Sequence, residues 1–430
     1  MSRSKKKDAS AAFGARLMRA GCALMALVPL LFAIGVGAVA WPALVQLLPR
    51  GVRPVPAAQS GEVLMVVATL QNDPGSSLTN TLDGELVDLS RQYYLYNARI
   101  ERLNEAPTTR AEARALAGEY NAAFLVWGDA SQPTVNVEVL TPLDFTEPLT
   151  LTFEPEGELD SRTTDVLAQT MMAVLSLHNR DTFTADTLLR NLPTNLETFG
   201  VAESTYLYYL AKIQLANANY TAAADMVQQA LEDYPDDVYL LALYAQTARS
   251  QDEITEAITA MTRLIDTLED SERRVQALHL RADLYIRGQQ LAEAEADLQT
   301  ALQTAPDDLL TLTQLYDIQF STGEYEAALA TINRLVEAQA GTPIDAYLSR
   351  AEVLDRLGRQ ADALETYATA LALADTNATR MEVLTARGYA LLAADEAEAA
   401  RADFRQVQSF SGAPASALVG LGLSYWVTGD

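Results

Sequence analysis

Two histidines and one cysteine are all that 430 residues offer for imidazole or thiolate chemistry. His178 and His279 lie about a hundred residues apart and neither belongs to an HExxH pattern, so no zinc-hydrolase helix is encoded. Cys22 alone can make neither an intrachain disulfide nor a cysteine-based metal site. It precedes an apolar run instead of following one, which reads as a plain membrane-helix cysteine and not a lipid-attachment site. Phosphate-cradling GxxxxGK and GxGxxG loops are missing from the sequence. Met171 and Met172 read as core filler, not a metal or cofactor box. Carboxylates remain, and no spacing marks a catalytic pair. The expectation is a non-enzyme with no catalytic residue, cofactor or metal.

The carboxylates matter in bulk. The formal net charge is −26, and residues 1–50 carry seven basic groups against Asp8, a net of +6, which leaves −32 for the rest. A body that acidic repels nucleic-acid phosphates and anionic lipid, so DNA and RNA are not expected partners. Acidity serves solubility and also attracts a basic protein or peptide.

From Ala20 to Pro49 no residue is charged, a length beyond the roughly 20 residues a membrane-spanning helix needs. Six basic residues precede it and Arg50 and Arg53 follow. The positive-inside tendency then gives a cytoplasmic tail (1–19), an anchor (20–49) with Trp41 near its far interface, and an extracytoplasmic body. The alternative is a signal peptide cut after Ala38-Val39-Ala40, although the apolar run continues past that point. Either topology exports the body. Residues 50–61, rich in Pro, Gly and small residues, read as a linker.

Residues 62–157 read as a small α/β domain. Val63–Leu70 and Ala123–Gly128 are apolar runs suited to strands buried on both faces, and Ala98–Leu103 is a third strand. Thr81–Tyr94 and Thr109–Tyr120 carry helical spacing, while Val135–Leu140 and Leu149–Phe153 alternate as antiparallel additions. A mixed sheet follows. Ligands of such sheets sit beyond the strand ends, here Gln71–Gly75 and Trp127–Asp129, with Trp127 read as packing. Residues 158–199 read as a helical bridge, with His178 an ordinary surface residue.

Beyond residue 200 a period near 34 emerges. Anchors Ala211, Ala245, Ala282, Tyr316, Ala351, Gly388 and Gly422 stand 34, 37, 34, 35, 37 and 34 residues apart. Twelve after the first six comes alanine every time: Ala223, Ala257, Ala294, Ala328, Ala363 and Ala400. Sixteen after them stand Val227, Met261, Leu298, Ile332, Tyr367 and Phe404, all apolar. Small or glycine turn residues are read at Ala218, Gly288, Gly323, Gly358 and Gly429, and Pro235 and Pro306 each precede Asp-Asp pairs able to cap the next helix. The second unit lacks turn glycine and terminal proline and is expected to be distorted. The seventh stops after one helix, as a truncated array or as a face that docks onto another chain.

These residues resemble the tetratricopeptide repeat family, of a bacterial membrane-anchored type. The segment Glu119–Gly128 resembles α/β modules fused to bacterial repeat proteins, which implies recognition or assembly. The resemblance implies a mainly α chain: a right-handed tetratricopeptide α-solenoid over 200–430, six repeats and a half, preceded by the small α/β mixed-sheet domain and the N-terminal transmembrane helix. It also implies a groove lined by the first helix of each unit. Residues three before, one after and four or five after each anchor then point inward: Tyr208, Lys212, Gln246, Arg249, His279, Asp283, Arg287, Asp317, Phe320, Glu352, Arg356, Tyr389 and Trp426. Three successive carboxylates, Asp283, Asp317 and Glu352, argue against a clamp for a C-terminal carboxylate and for a basic or amide-rich peptide, with Phe320 as an apolar anchor. The expected function is an extracytoplasmic scaffold of the cell envelope. The alternative is a sensor whose α/β domain binds a small molecule and whose repeats relay the event.

Overall fold

The computed structural model describes residues 55–142, 147–148, 150–338 and 344–429. The predicted tail and anchor, and the first residues of the linker, lie outside these. Among the described residues no helix is long and apolar enough to cross a membrane. The chain divides into two compact units, Met1–Met226 and Val227–Asp430.

In the first unit, strands β1 (Val63–Val67), β2 (Ala98–Arg102), β3 (Phe124–Asp129), β4 (Thr134–Val139) and β5 (Thr150–Phe153) form one sheet in the order β2-β1-β3-β4-β5. β1 runs parallel to β2 and β3, with Met65 opposite both Ile100 and Phe124, and the remaining pairs are antiparallel. The mixed sheet is thus as the hydrophobic pattern predicts. Helices α1 (Ser77–Gln92) and α2 (Arg110–Glu119) supply the crossovers. Thr109 caps α2 by accepting from the Glu112 amide. α2 and one sheet face enclose Leu64, Val66, Leu103, Ala113, Ala117 and Leu125, and Trp127 packs against them.

The segment 158–199 holds α3 (Ser161–His178) and α4 (Thr182–Arg190). α3 packs on α1 and β1 on one side and on α4 on the other, which explains why nearly every residue from Thr163 to Leu177 is buried. His178 is not a surface residue. Its ring meets Phe124 edge-on at 4.5 Å and its Nε2 lies 3.3 Å from the Glu147 carboxylate, both side chains almost wholly enclosed.

The repeats follow as helix pairs: α5 (Glu203–Ala216) with α6 (Tyr220–Asp233), α7 (Val238–Ser250) with α8 (Ile254–Thr267), α9 (Ser271–Arg287) with α10 (Leu291–Thr304), and α11 (Leu309–Thr322) with α12 (Tyr325–Ala338). α13 (Ile344–Arg356) and α14 (Gln360–Leu373), α15 (Asn377–Ala393) and α16 (Ala397–Ser409), and finally α17 (Ala415–Thr428) complete the series. All six alanines twelve after the anchors are 0% exposed, as a close helix crossing requires. Asp237 and Asp308 cap α7 and α11, as the Asp-Asp pairs predict.

The turns obey position rather than residue type. Seven residues after every anchor the backbone is left-handed: Ala218, Asp252, Gln289, Gly323, Gly358, Asp395 and Gly429, with φ between 58° and 82°. The amide of the following residue then returns to the carbonyl three after the anchor in each of the first six units, for example Glu253 to Ala248 and Gln290 to Tyr285 at 2.9 and 2.8 Å. Gly288 is therefore not the turn residue; Gln289, next to it, is. Unit two is not distorted either, because Asp252 takes the left-handed role that glycine fills elsewhere. Side chains other than glycine pay roughly 1 kcal/mol in that region. Gln289→Gly should raise the midpoint of thermal unfolding by a few degrees and Gly323→Ala should lower it, both measurable by calorimetry.

The same frame extends upstream of the predicted array. Ala173, Arg180 (φ 61°), Ala185 and Leu189 stand in the anchor, +7, +12 and +16 places, and the Asp181 amide returns to Ser176 at 2.8 Å. α3 and α4 are thus a repeat-like hairpin, and α3 serves the sheet and that hairpin at once.

Candidate functional site

The +1, +4 and +5 positions of the first helices carry the candidate binding face. Tyr208 and Lys212, in the first unit, are buried, with the Lys212 ammonium 5.7 Å from the Tyr208 ring. In the second unit Gln246, Arg249 and Asp283 are half-buried, and Arg287, Asp317, Glu352 and Arg356 are exposed. Tyr389 is half-buried with its hydroxyl donating to the Ser416 carbonyl at 2.7 Å, and Trp426 is 79% exposed.

Four of these residues converge on α11 and α13. Phe320 has Tyr316 at 5.8 Å and Tyr325 at 5.7 Å, and the Arg356 guanidinium lies 5.4 Å from its ring centre. Glu352 holds the same Arg356 at 3.2 Å. Phe320 is thus a fixed apolar platform capped by a cation, beside Asp317. Partial desolvation beside the aromatic cluster raises the Asp317 carboxyl above the ordinary range, although the side chain still reaches solvent. Asp355 holds the +4 place of the same helix as Glu352 and Arg356. Burial raises its pKa too, the Tyr367 hydroxyl donates to Oδ2 at 3.4 Å, and buried Oδ1 has no partner among the described residues. A row of carboxylates, some costly to ionise alone, is what a cationic partner would relieve.

His279 has a different setting. Its Nε2 faces the Thr311 hydroxyl and lies 3.5 Å from the Asp308 carboxylate, on the wall of a cleft of about 480 Å³ lined also by Glu272, Val275 and Leu310. Burial holds its pKa below 6.5, against the pull of Asp308. A histidine with a depressed folded pKa destabilises the fold as pH falls below the unfolded value and until the folded value is passed. His279→Asn should therefore flatten the loss of thermal stability on going from neutral pH to below 6.5.

Buried ion pairs are a feature that sequence reading misses. Arg281 makes a bidentate pair with Asp297 at 2.7 and 2.8 Å, and Arg387 does the same with Asp403 at 2.7 Å. Both pairs join the residue before the anchor to the one fifteen after it. In the fifth unit Arg350 keeps the first place, but Thr366 takes the second, and the buried Arg350 Nε has no partner among the described residues.

At the strand ends of the α/β domain the polar groups satisfy one another. Asn72 donates to both Asp129 oxygens at 2.9 and 3.0 Å, and Ser131 donates to Asp129 through amide and hydroxyl at 2.8 Å. On β4, Glu138 is fully buried and held by Arg110 at 3.1 Å and Arg114 at 3.5 Å, which fixes α2 to the sheet.

Residues 208–272, 275–308 and 315–378 match family models described as tetratricopeptide repeat. No curated protein matches the chain. Among solved structures, a tetratricopeptide repeat protein from Parabacteroides merdae is 20% identical, with a TM-score of 0.36, 60% of this chain and 98% of that one covered. The C-terminal part of a repeat-containing protein from Cytophaga hutchinsonii is 14% identical, with a TM-score of 0.47 and coverages of 59% and 99%. Pseudomonas aeruginosa pilF is 15% identical, with a TM-score of 0.37 and coverages of 50% and 94%. The matched segments, the anchor frame, the buried alanines and the common turn geometry together identify residues 208–378 as tetratricopeptide repeats.

Proposed function

We propose that the chain is a membrane-anchored scaffold, held by residues 20–49 with its body outside the cytoplasm, that gathers proteins of the cell envelope into a complex. Tetratricopeptide arrays are protein-interaction scaffolds, and the apolar run flanked by an excess of N-terminal basic residues supports the topology. The segment it holds is basic or amide-rich. The observation carrying that reading is the succession of carboxylates Asp283, Asp317 and Glu352 at one frame position, joined by Asp355, whose buried Oδ1 has no partner among the described residues, and set beside the Phe320 platform. Cationic side chains would pair with the carboxylates while their aliphatic stems lie on the ring.

Asp355→Asn separates binding from folding. A carboxyl whose folded pKa is raised costs stability above that pKa, and the cost vanishes as pH falls through it. The substitution should therefore raise thermal stability at neutral pH and lower affinity for a Lys/Gln-rich peptide by about tenfold, read by fluorescence anisotropy. Equal binding of Lys-rich and Glu-rich peptides would contradict the reading. Thiol labelling of a cysteine placed in the repeats of intact cells, but not of one placed in residues 1–19, tests the topology.

A further inference from the structure

Two aromatic side chains of the α/β domain stand in water. Tyr96 is 86% exposed and Tyr94 70%, in the turn between α1 and β2, with their ring centres 6.0 Å apart. Tyr94 also holds a left-handed φ of 55°. It fills the place after the helix cap, where the Leu95 amide returns to the Ser90 carbonyl at 3.0 Å and the Tyr94 amide to Arg91 at 3.3 Å. Glycine commonly fills that place, and a side chain there costs roughly 1 kcal/mol. Neither backbone geometry nor core packing accounts for a tyrosine here.

The same end of the sheet receives the chain from its N-terminal side. Residues 55–61, which read as a linker in the sequence, are docked on the domain. Val55 and Ala58 pack against the cluster of Leu64, Val66 and Ala117. The Arg99 guanidinium donates to the Pro56 and Ala57 carbonyls at 2.7 and 3.4 Å, and the Ala58 amide donates to the Tyr120 carbonyl at 2.9 Å. The Val63 amide donates to the Asn97 carbonyl at 2.8 Å, so β1 begins beside the tyrosine-bearing turn.

In the anchored topology proposed above, on which this inference rests, the apolar run extends to Leu48 and the chain leaves the bilayer near Arg50. The five residue steps from Arg50 to Val55 reach at most about 18 Å. The domain is then held against the membrane by the end that carries Tyr94 and Tyr96. Tyrosine favours the headgroup level, where its ring meets lipid and its hydroxyl stays in water. Neighbouring charges are paired: Arg99 holds Glu62 at 2.7 Å, and Arg91 lies 3.5 Å from Asp88. We propose that Tyr94 and Tyr96 seat the α/β domain on the lipid surface and fix its orientation there. The short tether makes the contact intramolecular, so two rings suffice where a free domain would not bind.

The test uses the full chain with Cys22 replaced by serine, reconstituted in phosphatidylcholine vesicles that carry a lipid spin-labelled near its headgroup. A fluorophore on Asn97→Cys, an exposed position of the same turn, should be quenched and blue-shifted. One on Gln132→Cys, exposed beyond the far end of β3 and about 20 Å away, should not. Adding Tyr94→Gly and Tyr96→Ser should reduce the quenching at 97 to the level at 132. Tyr94→Gly relieves the left-handed backbone and should raise the thermal midpoint, so the lost quenching is not unfolding. Vesicle flotation with position 97 unquenched, or quenching indifferent to the two tyrosine substitutions, would overturn the proposal alone. A chain that does not float with the vesicles would overturn the anchored reading and this proposal with it.

Discussion

Asp403→Ala is expected to cost about 3 kcal/mol, because it strands the Arg387 guanidinium in a largely buried site. Asp403 is 5% exposed and accepts both hydrogen bonds of the pair, so no water replaces it without opening the hairpin. Asp297→Ala should behave alike, with Thr262 losing its contact to Arg281 as well. Repeat stability is a sum over neighbours. Hydrogen exchange should therefore show α15 and α16 opening locally in Asp403→Ala while α9 and α10 stay protected, and the reverse in Asp297→Ala. The converse also follows. Thr366→Asp gives Arg350 the partner it lacks in the frame and should stabilise α13 and α14 by about 1 kcal/mol. A loss of stability in that variant would show that the ion pairs are incidental to the frame.

The second large effect is expected at Phe404, whose fully buried ring is wedged between two glycines. A Cβ on Gly388 would come within 2.7 Å of the ring, and one on Gly420 within 2.3 Å. Both glycines are helical, so alanine gains about 1 kcal/mol of helix propensity. Overpacking costs about 1–3 kcal/mol or more when the neighbour cannot move, and a ring pressed from both sides cannot. Gly420→Ala should thus destabilise by about 2 kcal/mol net, seen in denaturant unfolding. Phe404→Leu costs stability alone, yet should recover part of the loss when combined with Gly420→Ala. Simple additivity of the two would refute the wedge.

What could be read from the residues, and what could not, divides along physical lines. The alanine series was legible because a close helix crossing tolerates only a small side chain at one place per unit, and that constraint survives every other change. The turns were half legible: the chain fixes a left-handed residue at +7, but Asp252, Gln289 and Asp395 fill it without glycine, so a search for glycine settles on Gly288. The α3–α4 hairpin was hidden because α3 is covered by the sheet as well as by α4, which erases the one-sided pattern that marks a repeat helix. His178 and Glu147, and the Arg–Asp pairs, are charged or polar residues buried by partners distant in sequence, and nothing local announces them. Of the candidate face, Asp317, Glu352 and Arg356 stand exposed where the frame puts them, whereas Tyr208 and Lys212 are sequestered by aromatic packing.

The central claim is that the carboxylate-bearing face of the first helices holds a protein segment. Site-specific photocrosslinking in intact cells tests it most directly, with the photoreactive residue placed at Asp317, at Glu352, or at Gln299, exposed on a second helix. The predicted result is one reproducible protein adduct from positions 317 and 352, lost when Asp283 and Asp355 are both replaced by lysine, and none from 299. Adducts from 299 as strong as those from 317 and 352, or adducts indifferent to the lysine replacements, would contradict it.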